Sequence, residues 1–195
     1  MSAIFSGICL FFKNMYDNIL LRGVIMQNKN LLLPLLGTLG AILAIVGLFL
    51  GAWNLFVGPD TVETFTFFTT FDGVETVLGG FVATFSSIWA TLAMISLLVG
   101  IAALVINIVL KFLNNNDADN GNLLSRVLSW IAGIALIAFI VFGIVFTTVN
   151  SGSTGEGALL VQAGFNFGIG YWLGLIGLAF GTFFMALGSC MKRMV

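Results

Sequence analysis

The chain of 195 residues has no histidine, two cysteines and two prolines, and only 8% of its residues are charged. Without histidine, Ser-His-Asp and Cys-His catalysis are excluded within the chain, as is any histidine-based metal site. Cys9 and Cys190, one near each end, are too few for a zinc site and give no disulfide framework. Palmitoylation of these thiols and plain unmodified thiols both remain open. Seven Lys and Arg in total leave no basic surface for nucleic acid. The acids Asp60, Glu63, Asp72 and Glu75 match no calcium-loop spacing, and the polar run at 113–122 lacks the closing glutamate of an EF-hand. No glycine-rich phosphate loop follows a strand. The expectation is a non-enzyme without cofactors or metals.

What is present is apolar. Hydrophobic residues make up 59% of the chain, and the mean hydropathy is +1.14. Soluble domains carry about 25% charge, so this composition predicts an integral membrane protein in contact with a lipid bilayer. Four segments, about 32–53, 86–110, 127–149 and 165–190, reach the roughly 20 apolar residues that a spanning helix needs. In lipid, runs of this kind satisfy their backbone only as helices. All seven bases (Lys13, Arg22, Lys29, Lys111, Arg126, Lys192 and Arg193) fall on one side of these spans. The loops at 54–85 and 150–164 carry only acids. The positive-inside rule therefore predicts a multi-pass protein of the cell membrane with both termini cytoplasmic and those two loops outside.

Residues 1–30 precede this domain, which covers 31–193. Ile4, Ile8, Phe11, Met15 and Ile19 recur at helical spacing. One reading is an amphipathic helix on the inner leaflet. The other is that the native chain begins at Met26. A secretory signal does not fit, because its basic region would come before the apolar stretch.

The stretch TVETFTFFTTFDGVETVLGG (61–80) alternates Thr with apolar residues around Asp72-Gly73. Alternation about Asp-Gly is a hairpin signal, with strands near 61–70 and 74–78. A lone hairpin is marginal in water, so 81–85 and 157–163 are the candidate neighbouring strands. Phe65, Phe67 and Phe71 form the candidate outer-surface contact for a partner. Their alternative role is to fill the gap between sheet and bundle.

Small residues recur at i, i+4, i+7 and i+11, which is one helix face. The series are Gly40, Ala44, Gly47 and Gly51; Ser96, Gly100, Ala103 and Asn107; and Gly170, Gly174, Gly177 and Gly181. Such faces let membrane helices approach closely, either inside one bundle or between copies. No Asp, Glu, Lys, Arg or His falls inside the four segments, and Pro34 comes at the start of the first. Proton relays and broken-helix ion sites are thus not expected. Asn107 is the most polar group well inside a span, and a helix-to-helix hydrogen bond is its expected role. Trp53 leaves the first span as an expected interface anchor.

The fold class predicted is an all-α membrane protein: a four-helix bundle with a small outer β-sheet. With Trp53 after the first span, and Gly164, Gly170-Tyr171, Gly181 and Cys190 along the last, the layout of 31–193 resembles the claudin and peripheral-myelin-protein superfamily. The family's Gly-Leu-Trp triplet and its two extracellular cysteines are absent. The resemblance implies lateral assembly or adhesion through an outer sheet. The expected function is a non-enzymatic tetraspan scaffold that self-associates or binds another membrane protein. The alternative is a small oligomeric channel or an accessory subunit of a transporter complex.

Overall fold

The apolar runs fold as helices. The computed structural model describes residues 29–57, 60–69, 74–78, 81–85, 88–113, 120–150, 152–154 and 161–191. Their order is α1 (Lys29–Phe49), β1 (Gly51–Val57), β2 (Asp60–Thr66), β3 (Val74–Leu78), β4 (Phe81–Phe85), α2 (Ile88–Leu113), α3 (Asn120–Val149), β5 (Gly152–Thr154), β6 (Val161–Phe167) and α4 (Ile169–Met191). The amphipathic-helix reading of the N-terminus, Asp72-Gly73 and Phe71 lie outside the described residues.

Among the described residues, Ile88–Phe112, Leu123–Val149 and Ile169–Leu187 are long and apolar enough to cross a bilayer. A shorter apolar stretch, Leu33–Phe49, forms most of α1. The helices leave Ile42, Ile95, Ile134, Ile137 and Ile176 exposed. Water would oppose that surface and lipid satisfies it. The chain is an integral, multi-pass membrane protein.

Two span boundaries are corrected. The first span was expected to run to residue 53, but α1 stops at Phe49 and β1 begins at Gly51. The fourth was expected from 165, but 161–167 is strand and α4 starts at Ile169. One contact explains both: the Gly168 amide donates to the Ala52 carbonyl at 2.7 Å, opening a strand ladder where the two helices end. At the other end, α2 and α3 run past the expected limits, so Lys111 and Arg126 are helical. α1 continues unbroken through Pro34.

The hairpin pairing is corrected as well. β2 pairs with β1, not with β3, and β3 pairs with β4 as a separate two-stranded unit. The main sheet has the order β2-β1-β6-β5 and is antiparallel throughout. Residues 81–85 and 161–163 are strand, as expected of the candidate neighbours.

The helices pack as two close pairs, α1 with α4 and α2 with α3. The α1/α4 pair is backbone against backbone. A methyl group on Gly40 would fall 2.5 Å from the Gly181 nitrogen, and one on Gly47 would fall 2.5 Å from the Gly174 nitrogen. One on Gly177 would run into the Ala44 backbone. The α2/α3 pair uses larger side chains, and Leu97, Leu104, Phe139, Leu178 and Met185 fill the bundle axis without exposure.

Glycine therefore matters here by position and not by helix propensity. Gly177→Leu should lower the thermal unfolding midpoint in detergent, because forced overpacking costs about 1–3 kcal/mol or more. At Gly133 a methyl would meet only Thr182 Cγ2, at 4.0 Å. Gly133→Ala should hold or raise the midpoint, with a gain in stability of up to about 1 kcal/mol. Equal midpoints for the two variants would show that the α1/α4 seam is not the contact that holds the bundle.

Candidate functional site

The most specific construction in the molecule is the junction between sheet and bundle. Strand alternation sends Trp53 and Leu55 inward, both with no exposure. Register places Trp53 opposite Phe65 on one side and Phe167 on the other, and Leu55 opposite Phe165. The helices supply Phe139 and Phe146 from α3 and Tyr171 from α4. The Trp53 ring lies 4.5 Å from Phe146, 5.3 Å from Tyr171 and 5.8 Å from Phe67, centroid to centroid. Tyr171 stacks on Phe167 at 4.3 Å and on Phe139 at 4.6 Å. Spacings of this size are attractive for tilted and offset rings.

This cluster corrects three of the sequence-derived assignments. Trp53 is not an interface anchor; it is the centre of the buried cluster. Phe65 is 8% exposed and Phe67 1% exposed, so neither forms an outer partner surface. Phe67 packs on Trp53 and on Phe139 of α3, and Phe65 packs on Phe165 of β6, so both rings fill the gap between sheet and bundle. Gly51 is no seam residue: it lies in β1, where a methyl would strike the Thr64 side chain. The remaining glycines are where a helix seam needs them. Gly40 and Gly47 on α1 meet Gly170, Gly174, Gly177 and Gly181 on α4. Gly100 on α2 meets Leu178 and Ala135.

The outward face of the sheet carries a polar row. Asn54 stands opposite Thr64 and opposite Asn166, giving a row across three strands. The Thr64 hydroxyl donates to Asn54 Oδ1 at 3.0 Å. Thr64, Asn166 and the nearby Glu63 are exposed. Sequence reasoning missed this row, although the Gly-Phe-Asn-Phe alternation at 164–167 carries a strand period inside what reads as helix.

At the opposite end, Asn107 is fully buried and ties α2 to α3. Its Nδ2 donates to the Ser125 carbonyl at 3.2 Å and to Ser129 Oγ at 3.0 Å, and Ser125 Oγ donates to its Oδ1 at 2.7 Å. The expected helix-to-helix role of Asn107 is what the geometry gives. Nearby, Lys111 Nζ donates to the Met185 carbonyl of α4 at 3.0 Å. Other hydroxyls return to their own helices: Ser96 to Leu92 O, Thr38 to Leu35 O, and Thr147 and Thr148 to Ile144 O. Among the described residues, no three acids or cysteines converge as a metal site would need.

No protein-family model matches this chain, and no curated protein matches it.

The cluster contains a buried donor without an acceptor: Trp53 Nε1 has no hydrogen-bond partner. Burying such a group costs about 1–3 kcal/mol. Trp53→Phe removes it while keeping an aromatic ring, so the loss of stability in detergent should stay below about 1.5 kcal/mol. Trp53→Ala should lose about 3–5 kcal/mol. A Phe variant as damaged as the Ala variant would mean that the indole nitrogen has a partner in the membrane. Asn107→Ala should cost about 0.6–1.7 kcal/mol. Adding Ser125→Ala should then cost less than the two single losses together, since both remove one shared interaction.

Proposed function

We propose that this protein is a non-enzymatic tetraspan scaffold. It would assemble in the plane of the membrane and present its sheet to a partner on the outer side. One observation carries the reading: the sheet is not a loose loop but the direct extension of the α1/α4 pair. β1 leaves α1 after Leu50, and β6 enters α4 through Gly168. A surface fixed this firmly to the bundle is suited to recognition, since little ordering remains to oppose binding. The face it offers is the Asn54–Thr64–Asn166 row, and the buried Phe65 and Phe67 support it from below. Placing this face outside rests on the distribution of bases, which puts both chain ends in the cytoplasm.

The layout also supports a distant kinship with the claudin and peripheral-myelin-protein superfamily, without that family's extracellular cysteines. The strand after the first helix pairs with the strand before the last, so the two outer loops share one sheet. The channel alternative has less support. The bundle axis is filled by side chains with no exposure, and most hydroxyls of the spans bond within their own helices.

The purified chain in liposomes should cluster vesicles, read by light scattering, without releasing an entrapped dye. Thr64→Lys with Asn166→Lys should abolish clustering and leave the thermal midpoint unchanged. Dye release without clustering would replace the scaffold with an oligomeric pore. Neither signal would move the reading to an auxiliary subunit that acts only with its complex.

A further inference from the structure

An exposed pair of rings stands where the sheet meets α1. Phe49 is 65% exposed and Phe68 46% exposed, and their centroids are 5.7 Å apart at 34°. Phe49 ends a run of exposed α1 residues that includes Ile42, Ile45 and Val46. The i, i+3, i+4, i+7 spacing makes these one face of a helix, and on an apolar helix of a membrane protein that face is covered by lipid. Phe68 belongs to the turn that follows β2.

The depth of that turn is set by its neighbour. The Phe67 ring meets Phe139 of α3 at 5.9 Å. After Phe139, α3 runs on to Val149 within the apolar span Leu123–Val149. Ten residues of helix rise about 15 Å. Side chains on a helix also lean toward its N-terminus, which takes the Phe139 ring deeper still. The turn therefore lies beside the membrane-spanning part of α3, not above its end.

The two threonines that bracket the turn are closed on one another. The Thr66 amide donates to Thr69 Oγ1 at 2.8 Å, the Thr69 hydroxyl donates to the Thr66 carbonyl at 3.1 Å, and the Thr69 amide donates to Thr66 Oγ1 at 3.3 Å. Lipid demands this, because it offers backbone groups no partner. In water such closure would be optional.

We infer that the turn at residues 67–69 is a lipid-contacting element: Phe68 enters the sheet-side leaflet beside Phe49 and carries the lipid-facing surface of α1 onto the sheet. The occupant is the bilayer at its acyl and glycerol level. Continuity with the α1 face selects it over a second copy of the chain, and the closed threonine pair suits an apolar surrounding. The inference is independent of the scaffold reading. It would leave the sheet rooted in the leaflet along one edge, with only the Asn54–Thr64–Asn166 face toward water.

The test uses the full chain with Cys9 and Cys190 changed to serine, in phosphatidylcholine bilayers. A nitroxide on Phe68→Cys is compared with one on Ile42→Cys and one on Thr64→Cys, by power-saturation spectroscopy with oxygen and a water-soluble nickel chelate. The ratio of oxygen to nickel accessibility at position 68 should match that at position 42 and exceed that at position 64 several-fold. A ratio like that at position 64 would overturn the inference. So would protection from both reagents together with spin–spin broadening, which would mark a second copy as the occupant. Phe68→Trp guards against a label that disturbs the turn. Brominated phosphatidylcholine should quench the fluorescence this variant gains over the parent chain. No quenching of that increment would also overturn the inference.

Discussion

Backbone contact between α1 and α4 is the constraint on which the rest of this structure depends. Where one helix leaves no room for a Cβ, the other must match it turn for turn. Gly40, Gly47, Gly170 and Gly177 do so, with Ala44 between the two on α1. In lipid there is little hydrophobic force between helices, so close dispersion contact of this kind replaces it. The same approach fixes what lies beyond the helix ends. Two chains already this near need only the Gly168–Ala52 hydrogen bond to continue as paired strands. A methyl on Gly168 would strike the Gly51 carbonyl, so the joint itself needs glycine. The sheet, the buried Trp53 and the polar row then follow as one rigid continuation.

The second helix pair is held by different chemistry. α2 and α3 have bulky faces and cannot approach as closely, and a buried amide joins them. Asn107 reaches both the backbone and the hydroxyls of α3. An unsatisfied amide in lipid is costly, so such a group specifies register as well as adding stability. Lys111 links this pair to the first by donating to the Met185 carbonyl, and Met185 also packs beside Gly37 of α1. Seam, amide and lysine thus link the four helices in the order α1–α4–α2–α3.

Much of this was legible in the sequence, and the failures have physical causes. Helix number, the glycine seams and the role of Asn107 follow from apolar length and from residue size. The helix-to-strand changes at 50–53 and 165–168 were hidden, because a strand buried against a bundle is as apolar as a membrane helix. Periodicity alone does not separate the two. Asp72-Gly73 misled for a related reason. It is a strong local turn signal, but β1 offered β2 a partner that packs Phe65 and Phe67 inside. Local preference yields when the alternative buries two aromatic rings. Which face of the strand is inward was likewise invisible until β1 was recognised as a strand, since a shift of one residue exchanges the faces. Phe68 lies between the buried Phe67 and the exposed Thr69; strand alternation sets it on the face opposite Phe67 but does not say what covers it.

The closest partners in space are the first and the last of the described helices. Neighbours in sequence, α2 and α3, can meet as soon as both are made. α1 cannot settle until α4 emerges more than a hundred residues later. Until then its glycine face has no mate and β1 lacks its β6 edge. The order of synthesis therefore gives the protein a long interval in which half of its bundle is complete and the other half stands open. A helix left waiting in a membrane is open to whatever else is there. The seam that makes the finished protein rigid is the same surface that leaves the unfinished one dependent on protection during its insertion.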